Sequence, residues 1–173
     1  MLMVIVFNEK FNTISQEIYD RIIGSINFCS VKCTCGHLGC LTKHAYYCRR
    51  VRFRSVSVTL RILRVKCSLC GRTHAVLLSC IVPYSQIPLE DQIKIVQDFD
   101  SGSEIMSVLE TNYLIDPREV YYTVRKYCGF WKQRLLSEKI SDFKNIVCDC
   151  FEFFQMQFMQ IHRGRQILFC QPT

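Results

Sequence analysis

Acidic residues are missing from a long central stretch of this 173-residue chain. None stands between Asp20 and Glu90, although eleven Lys and Arg do. That gap excludes carboxylate-assisted catalysis from the segment, since no side chain in it can act as a carboxylate base or hard-metal ligand. A long apolar run is also missing, and nothing approaches the ~20 residues needed to cross a bilayer. The opening MLMVIVF carries no basic leader and runs straight into Asn8, Glu9 and Lys10, too short for a signal peptide. No export route is therefore expected.

Charge is unevenly spread. The formal net charge is +7, yet residues 21–89 hold all of the excess. The rest of the chain sets eleven basic side chains against fifteen acidic ones. A field of unopposed positive charge suggests a polyanionic partner, above all nucleic acid. With 49% hydrophobic and 21% charged residues the composition is globular, and the length suits one ordinary domain or two small ones.

Cysteine is plentiful, at 12 residues. In a reducing compartment clustered thiols bind metal more often than they cross-link, so a cytoplasmic location is expected. The spacing agrees. CTCGHLGC (Cys33 to Cys40) and CSLCG (Cys67 to Gly71) offer sulfur ligands from two turns, the pattern of one tetrahedral structural zinc. Cys67 and Cys70 form a knuckle in which backbone amides can point at the sulfurs and Gly71 permits the sharp exit. For the first pair the expected ligands are Cys35 and Cys40, with Cys33 as a rival. His44 and His74 are expected as hydrogen-bonded ribbon residues. Cys29, Cys48, Cys80, Cys128, Cys148, Cys150 and Cys170 are expected in packing. With four thiolates and no nearby acid the zinc would be closed and structural, and no enzymatic activity is expected.

The pattern along the chain predicts a strand at 1–7 and a helix opened by a Thr13–Gln16 capping box, with Ile14, Ile18, Ile22 and Ile26 on one face. Two β-like stretches come next, Ala45 to Arg54 and Val56 to Lys66, the second alternating apolar with polar residues. A third strand is expected from Ala75 to Val82. Pro83 and Pro88 bracket an extended connection, the expected domain boundary. Beyond it Leu89, Ile93, Val96 and Phe99 recur at helical spacing, and Ser103 can cap a short second helix. Asp116-Pro117-Arg118-Glu119 combines an N-cap, proline at the first helical position and a box glutamate. The helix beyond it buries Val120, Val124, Tyr127, Cys128, Trp131 and Leu135. An apolar stretch, Phe151 to Gln160, suggests a last helix with a strand-like tail.

Three helices so arranged match a helix-turn-helix. The expected class is α+β: a small N-terminal zinc ribbon of antiparallel β-hairpins with a flanking helix, then an all-α helix-turn-helix domain. Its parts would be 1–28 (strand and helix), 29–86 (ribbon), 87–138 (helix-turn-helix) and 139–173 (helix and tail). Candidate nucleic-acid contacts are Lys43, Arg49, Arg50, Arg52, Arg54 and Arg72 on the ribbon, and Arg118, Tyr122, Arg125 and Lys132 on the third helix.

KCTCGHLGCLTKHAYYCRR, then RILRVKCSLCGRTH, then VPYS resembles the zinc ribbon at the front of many bacterial insertion-sequence transposases. The likeness spans about residues 30–135 and extends to small mobile-element proteins with a helix-turn-helix behind the ribbon. It departs at the first knuckle, which lacks a two-residue spacer, and at Ala45, where glycine is common. Transposases of this kind carry a catalytic domain with three carboxylates, for which the residues after 135 leave no room. The resemblance thus implies a DNA-binding part without the cutting part, in a bacterial, nucleoid-associated setting. Its implied partners are double-stranded DNA and a separately encoded transposase, with a homodimer left open and no membrane involved. Two alternatives stand beside it: a ribbon adaptor binding RNA or protein through Tyr46, Tyr47 and Phe53, and a small nuclease or recombinase using Asp98, Asp100, Glu104 and Glu110.

Overall fold

The computed structural model describes residues 2–5, 14–54, 56–103, 107–161 and 167–170, the first and last of these ranges by their backbone. Its elements in chain order are β1 (Leu2–Ile5), α1 (Gln16–Gly24), β2 (Leu41–Phe53), β3 (Val56–Cys67), β4 (Thr73–Leu78), α2 (Leu89–Asp100), α3 (Ser107–Thr111), α4 (Pro117–Lys126), α5 (Lys132–Ser137), α6 (Ile146–Phe154) and β5 (Ile167–Cys170). A 3-10 turn, Phe28–Ser30, precedes β2, and a π-helical stretch, Tyr127–Trp131, joins α4 to α5.

The chain is α+β, as expected. The strands form one sheet in the order β2-β3-β4-β1-β5. Three are the antiparallel ribbon foreseen from the alternating pattern, with Arg64 opposite Ala75 and Lys66 opposite Thr73 between β3 and β4. Arg54 turns β2 into β3 with a φ of 46°, a left-handed conformation uncommon outside glycine. The N-terminal strand runs parallel to two neighbours: Leu2 faces both Ala75 of β4 and Ile167 of β5.

Contacts divide the chain into two units. One comprises residues 1–50, 59–79 and 163–173; the other comprises 51–58 and 80–162. Two expected boundaries are corrected by this. The segment before residue 29 is not separate, because β1 lies in the ribbon's own sheet. The segment after 138 is shared, since α6 belongs to the helical unit while β5 returns to the sheet. The division falls after Ser79, ahead of the proline-bracketed connection, and places residues 51–58 with the second unit; within the connection Ile81 pairs with Pro88 as an isolated bridge.

In the first unit α1 is capped by Ser15, whose hydroxyl accepts from the Ile18 amide. Thr13, the expected cap, lies outside the described residues. Gln16 turns instead to β3, accepting the Arg61 amide at 2.7 Å and donating to its carbonyl. Tyr19 is fully buried, and its hydroxyl accepts from the Leu63 amide at 2.9 Å and donates to the Val76 carbonyl at 2.8 Å. Continuing the β3–β4 register places Leu63 opposite Val76. One phenol thus bridges a ladder pair, and burial pushes its pKa well above the usual tyrosine range. At the same point the buried set of β3 switches from even positions (Leu60, Ile62) to odd ones (Leu63, Val65, Cys67).

The second unit has two apolar clusters. Ile87, Ile95, Val108, Ile115 and Val120 join α2, α3 and the start of α4. Trp131, Tyr127, Leu135, Ile146, Cys150 and Phe158 form the larger one, with the Trp131 ring meeting Phe130, Phe154 and Phe158 edge-on at 5.4–5.9 Å. Such edge contacts favour a ring quadrupole beyond plain burial. The Asp116 capping box forms as foreseen, with its carboxylate accepting the Arg118 amide at 2.7 Å and Glu119 accepting the Asp116 amide at 3.0 Å.

Candidate metal centre and basic faces

The cysteine site is built by tight turns at the open end of the ribbon. Gly36 and Gly39 have φ of 94° and 68°, and Gly71 has 68°, conformations that glycine adopts without a Cβ penalty. The Cys33 amide donates to the His37 carbonyl and the Gly36 amide to the Cys33 carbonyl, closing the first loop. In the second, the Cys67 amide donates to Arg72 and the Gly71 amide returns to Cys67. The two loops are tied by the Ser68 amide donating to the Cys40 carbonyl at 2.8 Å.

Ligand atoms of Cys33, Cys35, Cys40 and Cys67 all lie within 4.8 Å of one another. Zinc–sulfur bonds of about 2.3 Å at tetrahedral angles require sulfurs about 3.8 Å apart. The Cys35–Cys67 separation is 3.8 Å, and so is Cys33–Cys70. The Cys70 amide points at the Cys67 sulfur at 3.4 Å, the knuckle geometry that lowers thiolate charge. Five thiols therefore gather where four are needed. Cys33, expected only as a rival ligand, belongs to the tight group of four, while Cys70 stands beside it against Cys33. The set of four could hold a metal ion, and its all-sulfur chemistry fits a soft or borderline cation such as zinc.

Burial and hydrogen bonds pull the thiols apart in acidity. Burial pushes Cys33 up to about 12. The His37 ring beside Cys35, at 3.5 Å, draws that thiol down to about 6. Burial raises Cys40, whereas the Cys70 amide lowers Cys67. A divalent cation at the centre would overcome the cost of burying these thiolates, because a coordinating thiol is deprotonated outright.

His74, expected to hydrogen-bond rather than ligate, is fully buried with Nε2 3.6 Å from the Cys33 sulfur, and burial depresses its pKa to about 4. A neutral imidazole protonated on Nε2 can donate to that sulfur, which leaves Nδ1 without a partner. His44 is exposed on β2. The other cysteines divide: Cys150 is buried and Cys80 half-buried, but Cys29, Cys48, Cys128 and Cys148 are exposed, contrary to the packing role expected for them. The Cys170 side chain lies outside the described residues.

The basic residues also divide. Lys43, Arg50 and Arg72 are exposed in the first unit, and Arg49 is half-buried there. Arg61 and Arg64, absent from the sequence-derived candidates, are exposed on β3 and lie over the Tyr46 and Tyr47 rings at 5.2 and 4.7 Å. Stacking holds a guanidinium with its donors outward. Their signal was the polar phase of the β3 alternation, where each stands in a run without acids.

Arg52 is corrected from a phosphate contact to a structural one. It donates to both carboxylate oxygens of Glu119 and to the Leu114 carbonyl at 2.8 Å. Arg54 is exposed at the hairpin turn. On α4, Arg118, Tyr122 and Arg125 face solvent as expected, and so does Tyr121. Lys132 does not share their freedom, being held by Asp100 at 2.7 Å. A π-helical stretch lies between α4 and α5, and Cys128 within it is exposed while Tyr127 and Trp131 are buried.

The carboxylates considered for a nuclease are individually engaged: Asp98 accepts from Ser107, and Asp100 from Tyr127 and Lys132. Glu110 is exposed, and Glu104 lies outside the described residues. Among the described residues no helix is long and apolar enough to cross a membrane. No family model, curated protein or solved structure matches the chain.

Proposed function

We propose that this chain is a zinc-stabilised DNA-binding protein of a mobile element, marking element ends or a promoter without cutting DNA. The observation that carries the reading is the coincidence of a four-thiol cluster with an acid-free ribbon whose Lys43, Arg50, Arg61, Arg64, Lys66 and Arg72 all face solvent. One structural zinc held by Cys33, Cys35, Cys40 and Cys67 would tie the two loops, and four thiolates would leave it no open position. The stacked arginines of β3 then neutralise phosphates and set register, while α4 approaches the bases. The mobile-element setting rests on the resemblance of the ribbon to those of insertion-sequence transposases.

Fluorescence anisotropy against duplex DNA over a range of salt tests this. The logarithm of affinity should fall linearly with the logarithm of salt concentration, by about 0.9 per phosphate neutralised. Replacing Arg61 and Arg64 with alanine should weaken all duplexes alike and reduce that slope by about 2. Salt-independent binding, or equal binding to RNA, overturns the reading.

A further inference from the structure

The outward face of α4 combines two kinds of side chain in a narrow stripe. At about 100° per residue, Arg118, Tyr121, Tyr122 and Arg125 fall within roughly 100° of arc, while Val120, Thr123 and Val124 face the other way. Tyr121 is 77% exposed and Tyr122 60% exposed. Lys126 lies over the Tyr122 ring at 5.4 Å. Among the described residues, no hydrogen bond or ion pair holds the side chains of Arg118, Tyr121 or Arg125. The stripe contains no acid: Glu119 is turned inward to Arg52 and the Asp116 amide.

Two adjacent exposed tyrosines, one of them already under the Lys126 ammonium, make a small aromatic patch of the kind that marks an interaction site. A helix that only reads the major groove uses donors and acceptors that match base edges, and a phenol ring offers no bidentate match. What the rings do offer is flat surface for stacking. The two arginines are seven residues apart, ~10.5 Å along the axis. That distance is the rise of about three stacked nucleotides at about 3.4 Å each. A cation at either end of a pair of rings suits a short strand whose phosphates run along the stripe while unpaired bases lie on the tyrosines.

Resting on the reading of this protein as DNA-binding, we propose that Tyr121 and Tyr122, flanked by Arg118 and Arg125, form a stacking platform for unpaired DNA bases next to a duplex. The ligand is then a junction between paired and single-stranded DNA, a more specific partner than duplex alone. A second copy of the chain is a poorer occupant, since an isologous contact would set these arginines against one another without an acid between them.

The test uses the full chain, a blunt duplex, and the same duplex with a short single-stranded tail carrying 2-aminopurine. Wild type should bind the tailed duplex about five-fold tighter or more, a stacked base contributing at least that factor, and the probe should change its fluorescence on binding. Tyr121→Ala with Tyr122→Ala should erase the preference and the fluorescence change, so that tailed and blunt duplexes bind alike, while the salt dependence of duplex binding is kept. The Tyr121→Phe, Tyr122→Phe pair keeps both rings and should keep both signals, which separates stacking from a folding defect. Equal wild-type affinity for the two DNAs, or a preference that survives the alanine pair, overturns the proposal. So does a wild-type dimer that the alanine pair turns monomeric, because the face would then be a protein interface. A wild type that binds duplex with the expected salt dependence but shows no tail preference sinks this inference alone, whereas a wild type that binds no duplex sinks the proposed function.

Discussion

At the cysteine end of the ribbon the apolar side chains point outward: Leu38 and Leu69 are each 63% exposed, and the turns around them are joined by thiols and backbone hydrogen bonds. In the helical unit the reverse holds, with Trp131 and Phe158 fully buried among other aromatic rings. The first region has little apolar area around its loops, and on the proposed reading an ion held by its four sulfurs would supply the order that packing does not. The second is held by ordinary close packing and depends on shape. A single chain thus uses two different sources of order.

The sharpest way to break that contrast is to remove the metal. Chelation, or Cys67→Ser, should abolish hydrogen-exchange protection in residues 33–40 and 67–74 while α2 and α4 keep theirs. Structural zinc binding is of order 10 kcal/mol, and that energy is folding energy for the loops it closes. Metal-free protein with a fully protected ribbon would refute the comparison. The converse change is Trp131→Ala. It should destabilise the helical unit by about 3–5 kcal/mol in denaturant unfolding, with metal content by mass spectrometry unaltered.

A smaller effect probes the sheet. Tyr19→Phe removes the hydroxyl between Leu63 and Val76 and leaves a buried amide and carbonyl without their shared partner. Thermal or denaturant unfolding should show a loss of about 1–3 kcal/mol, and no loss would mean that the ladder closes directly. The smallest effect is expected at Arg52 and Glu119, whose side chains are 21% and 31% exposed. A double-mutant cycle on the pair should give a coupling of about 0.5–1 kcal/mol, and a value near zero would return Arg52 to the set available for phosphate.

Short-range patterns were the readable part of this sequence. The β3 strand, the Asp116 box and the Cys67–Cys70 turn each depend on residues a few positions apart, and each forms where the spacing puts it, although the β3 alternation changes phase after Ile62. Long-range pairings were not readable. Nothing local marks β1 as the strand between β4 and β5, and nothing near Arg52 announces a glutamate 67 positions later. The π stretch is a third kind of miss. It carries Tyr127, Cys128 and Trp131, and while Tyr127 and Trp131 are buried as the period expects, Cys128 is exposed. At the metal site the spacing named both loops but expected only two ligands from the first, whereas its turns, with Gly36 and Gly39 at positive φ, bring Cys33, Cys35 and Cys40 all into the group.

The position of β1 also bears on how the molecule is made. Its two partners in the sheet come from residues 73–78 and 167–170, so one edge of this strand stays open until synthesis has passed Cys170. Residues 80–162 form an almost uninterrupted block that can assemble earlier, as the chain emerges from the ribosome. Any truncation upstream of Ile167 would leave β1 with an unpaired edge, a template for joining another chain.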